Sequence, residues 1–240
     1  MNILITGGAS GLGESITRIL ANEKKNIVFF TYSNSSLNAK KIELDFSNAF
    51  SIKCDFKNSS EITQLVNKIA DLNIDVLINN AYAGDAIKTH FHRIPHEDFC
   101  IDFNNNIIPS IRITQSVISL FRKKKAGKII TVLTSFLTNK PPLGASSYVA
   151  NKAYLESLVK TWANENIRFN ITSNSISPSF MQTKLTSDVD ERVLEQVISN
   201  HPLKKLLTVE EVAETVFFLT KASSQINGVD ILINSGSDIK

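Results

Sequence analysis

An α/β fold, with a parallel sheet covered by helices on both faces, is what the sequence predicts. Two observations carry this. Short apolar runs alternate with amphipathic stretches along almost the whole chain, and a glycine-rich turn joins the first run to the first helix. Runs that stay apolar on both faces of the pleat mark strands buried from both sides. The helical stretches between them supply the crossovers that parallel pairing needs.

Residues 2–6 (Asn-Ile-Leu-Ile-Thr) read as the first strand, and a helix follows over 12–22. Residues 26–31 form a second strand, β-branched and aromatic. A weak helix over 38–46 precedes a third strand over 49–54. Residues 60–70 make a helix that puts Ile62, Leu65, Val66 and Ile69 on one face. The fourth strand is 75–79. Residues 98–121 read as helical, broken into two near Pro109, because proline lacks the N–H and crowds the preceding turn. Strand five covers 128–135, and a long helix covers 146–164. A strand over 170–177 and a helix over 189–199 come next. The helix over 209–220 opens with Thr208 as N-cap and Glu210 and Glu211 in its first turn. A final strand covers 229–233.

The 240 residues carry 26 Lys and Arg against 23 Asp and Glu, a net charge of +3, and are 42% apolar and 20% charged. That balance is ordinary for a soluble globular domain, so one domain over 1–240 is expected. Nine Gly and six Pro exclude collagen-like and Pro/Gly-rich disordered chains. Cys54 and Cys100 are too few for a disulfide framework and lack metal-ligand spacing. His90, His92 and His96 cluster without a carboxylate or cysteine at ligand spacing, so no metal is expected. No signal segment and no membrane-length apolar run is present, which points to a cytoplasmic protein. The weak charge argues against a nucleic-acid partner. The run Arg122-Lys123-Lys124-Lys125 closes a helix, where cations suit the dipole.

The first strand runs into Thr6-Gly7-Gly8-Ala9-Ser10-Gly11-Leu12-Gly13, and a helix follows. Glycines let the backbone turn tightly and approach a diphosphate, while the helix start offers free N–H donors. The G-x-G-x-x-G spacing of one dinucleotide fingerprint is not matched. A P-loop fails as well, because Glu14 stands at the lysine position and would repel phosphates. A dinucleotide reading makes a further demand at the end of the second strand, where an acid would select the ribose 2′-OH of NAD. The chain has Thr31-Tyr32-Ser33-Asn34-Ser35 there. With no acid, and small hydrogen-bonding groups at Ser33 and Asn34, NADP(H) is favoured over NAD(H).

Tyr148 and Lys152 lie at i and i+4 on one face of the long helix. A nearby ammonium favours a phenolate and would lower the phenol pKa toward working pH. Tyr148 then exchanges a proton with an alcohol or carbonyl oxygen. Ser135 ends the fifth strand, the edge where α/β sheets put ligands. Asn104-Asn105-Asn106 sits mid-helix, where asparagine is a poor helix former and a buried one needs partners.

Together these residues resemble the short-chain dehydrogenase/reductase family, in its branch without a C-terminal extension. Thr6–Gly13 matches its T-G-x-x-x-G-x-G loop, Asp55 its adenine-contacting acid, and Asn79-Asn80-Ala81 the start of its N-N-A-G motif. Asn106 matches its helix asparagine, and Ser135, Tyr148 and Lys152 its catalytic Ser and Y-x-x-x-K. Pro178 and Thr183 match P-G-x-x-x-T, and Pro202-Leu203 with Glu210-Glu211-Val212-Ala213 resembles its C-terminal pattern. The resemblance implies a doubly wound Rossmann fold with a seven-stranded parallel sheet. It implies reversible hydride transfer between NAD(P)(H) and a carbonyl/alcohol pair. Tyr148 would be the acid/base, and Lys152 would lower its pKa and bind the nicotinamide ribose. Ser135 would hold the substrate oxygen, and Asn106 would place a water relaying protons to Lys152. Gly7, Ser10, Gly11, Leu12, Gly13, Asn80 and Ala81 would line the cofactor with Thr6, Ser33, Asn34, Asp55, Pro178 and Thr183.

The chain departs from the family pattern at Tyr82, at Ser179 and at Asn234-Ser235-Gly236, where relatives carry Gly, Gly and Asp-Gly-Gly. Phe180, Met181 and Leu185 are candidates for an apolar substrate wall. Within the family the look is nearest to 3-oxoacyl-[acyl-carrier-protein] reductases, which implies a small carbonyl or alcohol substrate, carrier-bound in that subclass. A homodimer or homotetramer is the family's usual assembly. The alternative is a cofactor-binding regulator or scaffold without turnover.

Overall fold

In the computed structural model, which describes residues 1–86, 89–181 and 191–237, the first strand sets the layering. In β1 (Asn2–Ile5), Ile3 and Ile5 face one side of the sheet and Leu4 the other, and all three are fully buried. Successive side chains of a strand point to opposite faces, so a continuous apolar run requires cover on both. α1 (Gly11–Asn22), α2 (Ser36–Asp45) and α7 (Val209–Lys221) cover the Ile3/Ile5 face with Ile16, Leu20, Ile42, Val212 and Val216. α3 (Ser59–Leu72), α4 (His96–Lys124) and α5 (Ser146–Asn166) cover the Leu4 face with Ile62, Leu65, Ile113, Phe121 and Val159.

The other strands are β2 (Ile27–Tyr32), β3 (Ala49–Lys53), β4 (Val76–Asn79), β5 (Gly127–Val132), β6 (Ile171–Pro178) and β7 (Asp230–Ile233). All pair in parallel in the order β3-β2-β1-β4-β5-β6-β7. The chain winds outward from β1 through β2 and β3, then returns to β4 on the other side. The crevice at this reversal, beyond the strand carboxyl ends, is where such sheets bind ligands. This is the doubly wound, seven-stranded sheet that the sequence led us to expect.

Two boundaries differ in ways that matter. α4 is one continuous helix through Pro109, not two. Its inward face, with Ile107, Pro109, Ser110 and Ile113 buried, holds it together across the missing hydrogen bond. β5 stops at Val132, so Ser135 opens a short 3₁₀ turn (Ser135–Leu137) instead of ending the strand. α6 is described over Glu191–Asn200, and residues 189 and 190 of the expected helix lie outside the described ones. The capping box at Thr208 and Glu211 that opens α7 is complete in both directions.

The end of α4 turns sharply into β5. Lys125 takes a left-handed conformation (φ 54°) and donates its N–H to the Phe121 carbonyl. Two residues on, a Cβ at Gly127 would lie 2.1 Å from the fully buried Phe121 ring. These two positions make opposite predictions. Lys125→Gly removes the left-handed penalty and stabilises by about 0.5–1 kcal/mol. Gly127→Ala overpacks Phe121 and destabilises by about 1–3 kcal/mol. Denaturant unfolding of both variants checks the signs.

Candidate active site

The glycine loop and the β4 exit are locked to each other. The Thr6 hydroxyl accepts from the Asn80 and Ala81 N–H groups at 2.9 and 3.1 Å and donates to the Ile78 carbonyl at 3.4 Å. Asn80 Nδ2 donates to the Thr6 and Gly7 carbonyls at 3.0 and 3.1 Å. Thr6 is buried, and this hydrogen bonding leaves its side chain to position the loop rather than to touch a ligand. Gly7 donates its N–H to Thr31 Oγ1 at 2.9 Å, which ties the loop to the end of β2. A Cβ at Gly13 would sit 2.0 Å from the Gly7 carbonyl oxygen, so only glycine allows α1 to start this close to the loop.

That start fits an anionic cofactor. Ser10 is the extended N-cap residue and its side chain makes no cap bond. Among the described residues the first N–H of α1 with a partner is that of Glu14, which donates to Ser10 O, so Gly11, Leu12 and Gly13 present donors without described partners at the positive end of α1. At the end of β2, Ser33 is half-buried, Asn34 is exposed, and neither side chain is hydrogen-bonded within the described chain. Asp55 follows β3, half-buried, with its carboxylate accepting from Lys57 N.

α5 brings in the catalytic pair. Tyr148 is 9% exposed and Lys152 4%. Lys152 Nζ donates to the Val132 carbonyl at 2.7 Å and is 5.7 Å from the Tyr148 ring centre. Burial pushes the Lys152 pKa down to about 8 and the Tyr148 phenol up to about 12. Contact with the Thr134 hydroxyl pulls Tyr148 the other way without offsetting this. In the cofactor-free chain burial is the larger influence on Tyr148, and the Lys152 ammonium is bonded to the Val132 carbonyl. Ser135 is 1% exposed and adjoins Thr134.

The Asn106 side chain is bonded to the backbone around it. Its Oδ1 accepts from Ala83 N at 2.6 Å, and its Nδ2 donates to the Ala83 and Asp102 carbonyls at 3.1 and 2.9 Å. It is the one buried member of the asparagine triplet. Beside it Ser147 Oγ donates to Asp102 Oδ2 at 2.6 Å, a buried pair that the motifs did not reveal. Thr31 and Thr134 were also missed, since a small hydroxyl residue at a strand end carries no distinctive spacing. Pro178 ends β6. Thr183 and Leu185 lie outside the described residues, whereas Met181 pairs with Leu207 in an isolated parallel bridge.

Two of the three departures are accommodated by the backbone. Among described residues, positive φ in this loop falls on Gly84 (109°) and not on Tyr82, so the side chain at 82 is unstrained. Ser179 likewise avoids positive φ and donates its N–H to Ile233 O at 2.9 Å. Ser235 does take the left-handed conformation (φ 55°), beside Gly236 (72°).

A glycine loop with free donors next to a buried Tyr–Lys pair, at the reversal point of a parallel sheet, describes a nicotinamide-dependent oxidoreductase. A family model described as Enoyl-(Acyl carrier protein) reductase matches residues 7–238. The chain is 31% identical over 239 residues to a 3-oxoacyl-[acyl-carrier-protein] reductase of Thermotoga maritima, covering 97% of this chain and 96% of that one. It is also 31% identical to the protein of that name from Buchnera aphidicola subsp. Baizongia pistaciae, covering 97% and 95%. Two solved structures share the fold. One is a short chain dehydrogenase/reductase family protein (TM-score 0.87, 23% identity, coverage 98% and 96%). The other is YwfH, an NADPH-dependent reductase involved in bacilysin biosynthesis (TM-score 0.89, 22% identity, coverage 100% and 98%). The chain belongs to the short-chain dehydrogenase/reductase family and is an NAD(P)-dependent oxidoreductase acting on a carbonyl/alcohol pair.

The Lys152 shift has a measurable sign. Its folded pKa, about 8, lies below the ordinary 10.5, so between these values the unfolded chain binds more protons. Stability then rises with pH across that window, and the full burial penalty applies below about 8. Lys152→Met removes this dependence. The stability of wild type relative to Lys152→Met is expected to increase by about 1–3 kcal/mol from pH 8 to pH 10. Denaturant unfolding of both proteins across that range checks it, and parallel pH profiles refute it.

Proposed function

We propose that the protein reduces the ketone of a 3-oxoacyl thioester with NADPH, on a carrier protein. The observation that carries this reading is the buried Tyr148–Lys152 pair beside the glycine loop, in a chain 31% identical to 3-oxoacyl-[acyl-carrier-protein] reductases. The Tyr148 phenol keeps its proton at neutral pH, as a general acid for carbonyl reduction must. In this mechanism Tyr148 gives its proton to the substrate oxygen as charge develops there, and Ser135 holds that oxygen in place. Lys152 binds the nicotinamide ribose, and Asn106 fixes the loop beside it. The cofactor supplies the hydride when bound. The N–H groups of Gly11, Leu12 and Gly13 would hold its diphosphate, with Ser10, Asn80 and Ala81 lining the loop, Asp55 meeting the adenine, and Ser33 and Asn34 receiving a 2′-phosphate.

The surroundings support the substrate class. A cleft of about 460 Å³ opens between the segment 140–143 and α6, lined by Pro141, Pro142, Leu143, Val193 and Val197 among others. Its apolar wall suits an acyl chain. Arg122 and Arg168 flank the Phe169 ring at 4.9 and 5.0 Å, at the C-terminal ends of α4 and α5, and offer a cationic footing for a carrier. Ile101 and Ile108 on α4 and Tyr154 on α5 are exposed, which suits pairing of these helices in a homodimer or homotetramer. No helix among the described residues is long and apolar enough to cross a membrane. A cytoplasmic location fits this picture.

Two experiments test the reading. Loss of NADPH absorbance is followed with a 3-oxoacyl thioester, the matching enoyl thioester, small ketones and sugars. The 3-oxoacyl substrate is expected to turn over fastest, and Tyr148→Phe to lower its kcat/KM by about 100-fold or more. Faster turnover of the enoyl thioester, or full activity in Tyr148→Phe, overturns it. For the cofactor, Ser33→Asp places an acid where the 2′-phosphate is proposed and is expected to shift the kcat/KM ratio toward NADH at least tenfold. An unchanged ratio removes that placement.

A further inference from the structure

Lys152 is a buried ammonium with three N–H donors and one hydrogen-bond acceptor, the Val132 carbonyl. Among the described residues no carboxylate pairs with it. Its remaining partners are two aromatic rings. The Tyr148 ring centre is 5.7 Å from Nζ and the Tyr82 ring centre 5.6 Å, both within the range of about 6 Å over which a ring face attracts a cation. The two rings meet each other edge to face at 4.9 Å and 77°, a favoured aromatic geometry. Tyr82 stands where the family motif has glycine, so this second ring belongs to this chain.

The ring is held from both sides. Ala81 donates its N–H to the Thr6 hydroxyl at 3.1 Å. Ala83 exchanges two hydrogen bonds with the Asn106 amide, at 2.6 and 3.1 Å. β1 and α4 therefore fix the backbone on either side of Tyr82 and aim its side chain into the site. The Tyr82 hydroxyl is buried and makes no hydrogen bond of good geometry, and the same holds for the neighbouring Asn151 Nδ2. The useful part of the side chain is thus its ring and not its hydroxyl.

We propose that Tyr82 is a positioning residue of the active site, whose clamped ring holds the Lys152 ammonium against Tyr148 and sets the catalytic pair in place before any cofactor is bound. The ammonium meets Val132 from β5, Tyr82 from the β4–α4 connection and Tyr148 from its own helix. Asp102, bonded to Ser147, and Asp85 face Tyr82 and make its phenol harder to ionise, after burial, so the ring stays neutral beside the cation. The proposal rests on Tyr148 and Lys152 being the working pair.

The test compares Tyr82→Phe, which keeps the ring, with Tyr82→Leu and Tyr82→Met, which keep apolar bulk without it. The protonation midpoint of Lys152 is read in the cofactor-free protein by NMR of isotope-labelled lysine, with Lys152→Met assigning the signal. Tyr82→Phe is expected to leave the midpoint in place, and the ringless variants to lower it by half a unit or more. The alkaline limb of the kcat/KM profile should move down with it. An unchanged midpoint in either ringless variant, or an equal fall in Tyr82→Phe, overturns the proposal. Should Tyr148→Phe and Lys152→Met retain activity, the reading of the pair fails instead, while the cofactor-free titration still reports on the ring.

Discussion

The crossing of the β1 and β4 exits is the constraint on which the rest of the site depends. Parallel pairing brings Ile5 beside Ile78, and immediately beyond that pair the chain must turn away twice in a confined space. Thr6 and Asn80 resolve the crowding by bonding to each other's backbones. The missing side chain at Gly13 then lets α1 approach both, since a Cβ there would meet the Gly7 carbonyl at 2.0 Å and Asn80 Nδ2 at 2.6 Å. A net contribution of about 1 kcal/mol per hydrogen bond makes this lock modest in stability. Its effect on geometry is larger, because the anion-binding end of α1 and the loop carrying Tyr82 are both registered to it.

The catalytic side shows the opposite balance. Burying Lys152 beside one carbonyl and two rings costs stability, as the downward shift of its pKa records. A salt bridge would have relieved that cost and also neutralised the ammonium. Instead, among the described residues, the cation is partnered by groups without charge, so its field remains available to whatever enters the site. Tyr148 is treated in the same way: desolvation holds the proton on the phenol, and the Thr134 contact tempers this only in part. The site stores an unfavourable electrostatic arrangement that the surrounding core, rather than local pairing, holds in place.

Sequence reasoning reached the parts of this arrangement that are periodic or glycine-dependent. The parity of Ile3, Leu4 and Ile5, the turn at Gly7–Gly13 and the one-turn spacing of Tyr148 and Lys152 all follow from fixed backbone geometry. It failed where three-dimensional context overrides a local rule. Pro109 breaks an isolated helix, but here buried neighbours on one face span the defect. The one-turn spacing of a Tyr–Lys pair says nothing of how deeply α5 sinks both groups. The Thr31 bond to Gly7 joins residues far apart in sequence, and no motif announces it. The bonds of the Asn106 amide to the Ala83 backbone are likewise invisible to any motif.

The substitution at position 82 shows how such a site diverges without losing its fold. A glycine in a tight loop is replaceable only where the backbone does not need its conformational freedom. The positive φ resides at Gly84, two residues later, and this leaves position 82 open to any L side chain. A small residue there would leave the space over Lys152 to solvent or to ligand. A tyrosine fills it with a rigid ring whose placement is inherited from the Thr6 and Asn106 contacts on either side. The ring then stands within cation–π range of Lys152 and edge to face with Tyr148. The clamp that positions the glycine loop and the ring that positions the ammonium are thus two ends of one short segment, 80–83. A change at Thr6 is therefore expected to reach Lys152 on α5 through Ala81 and Tyr82.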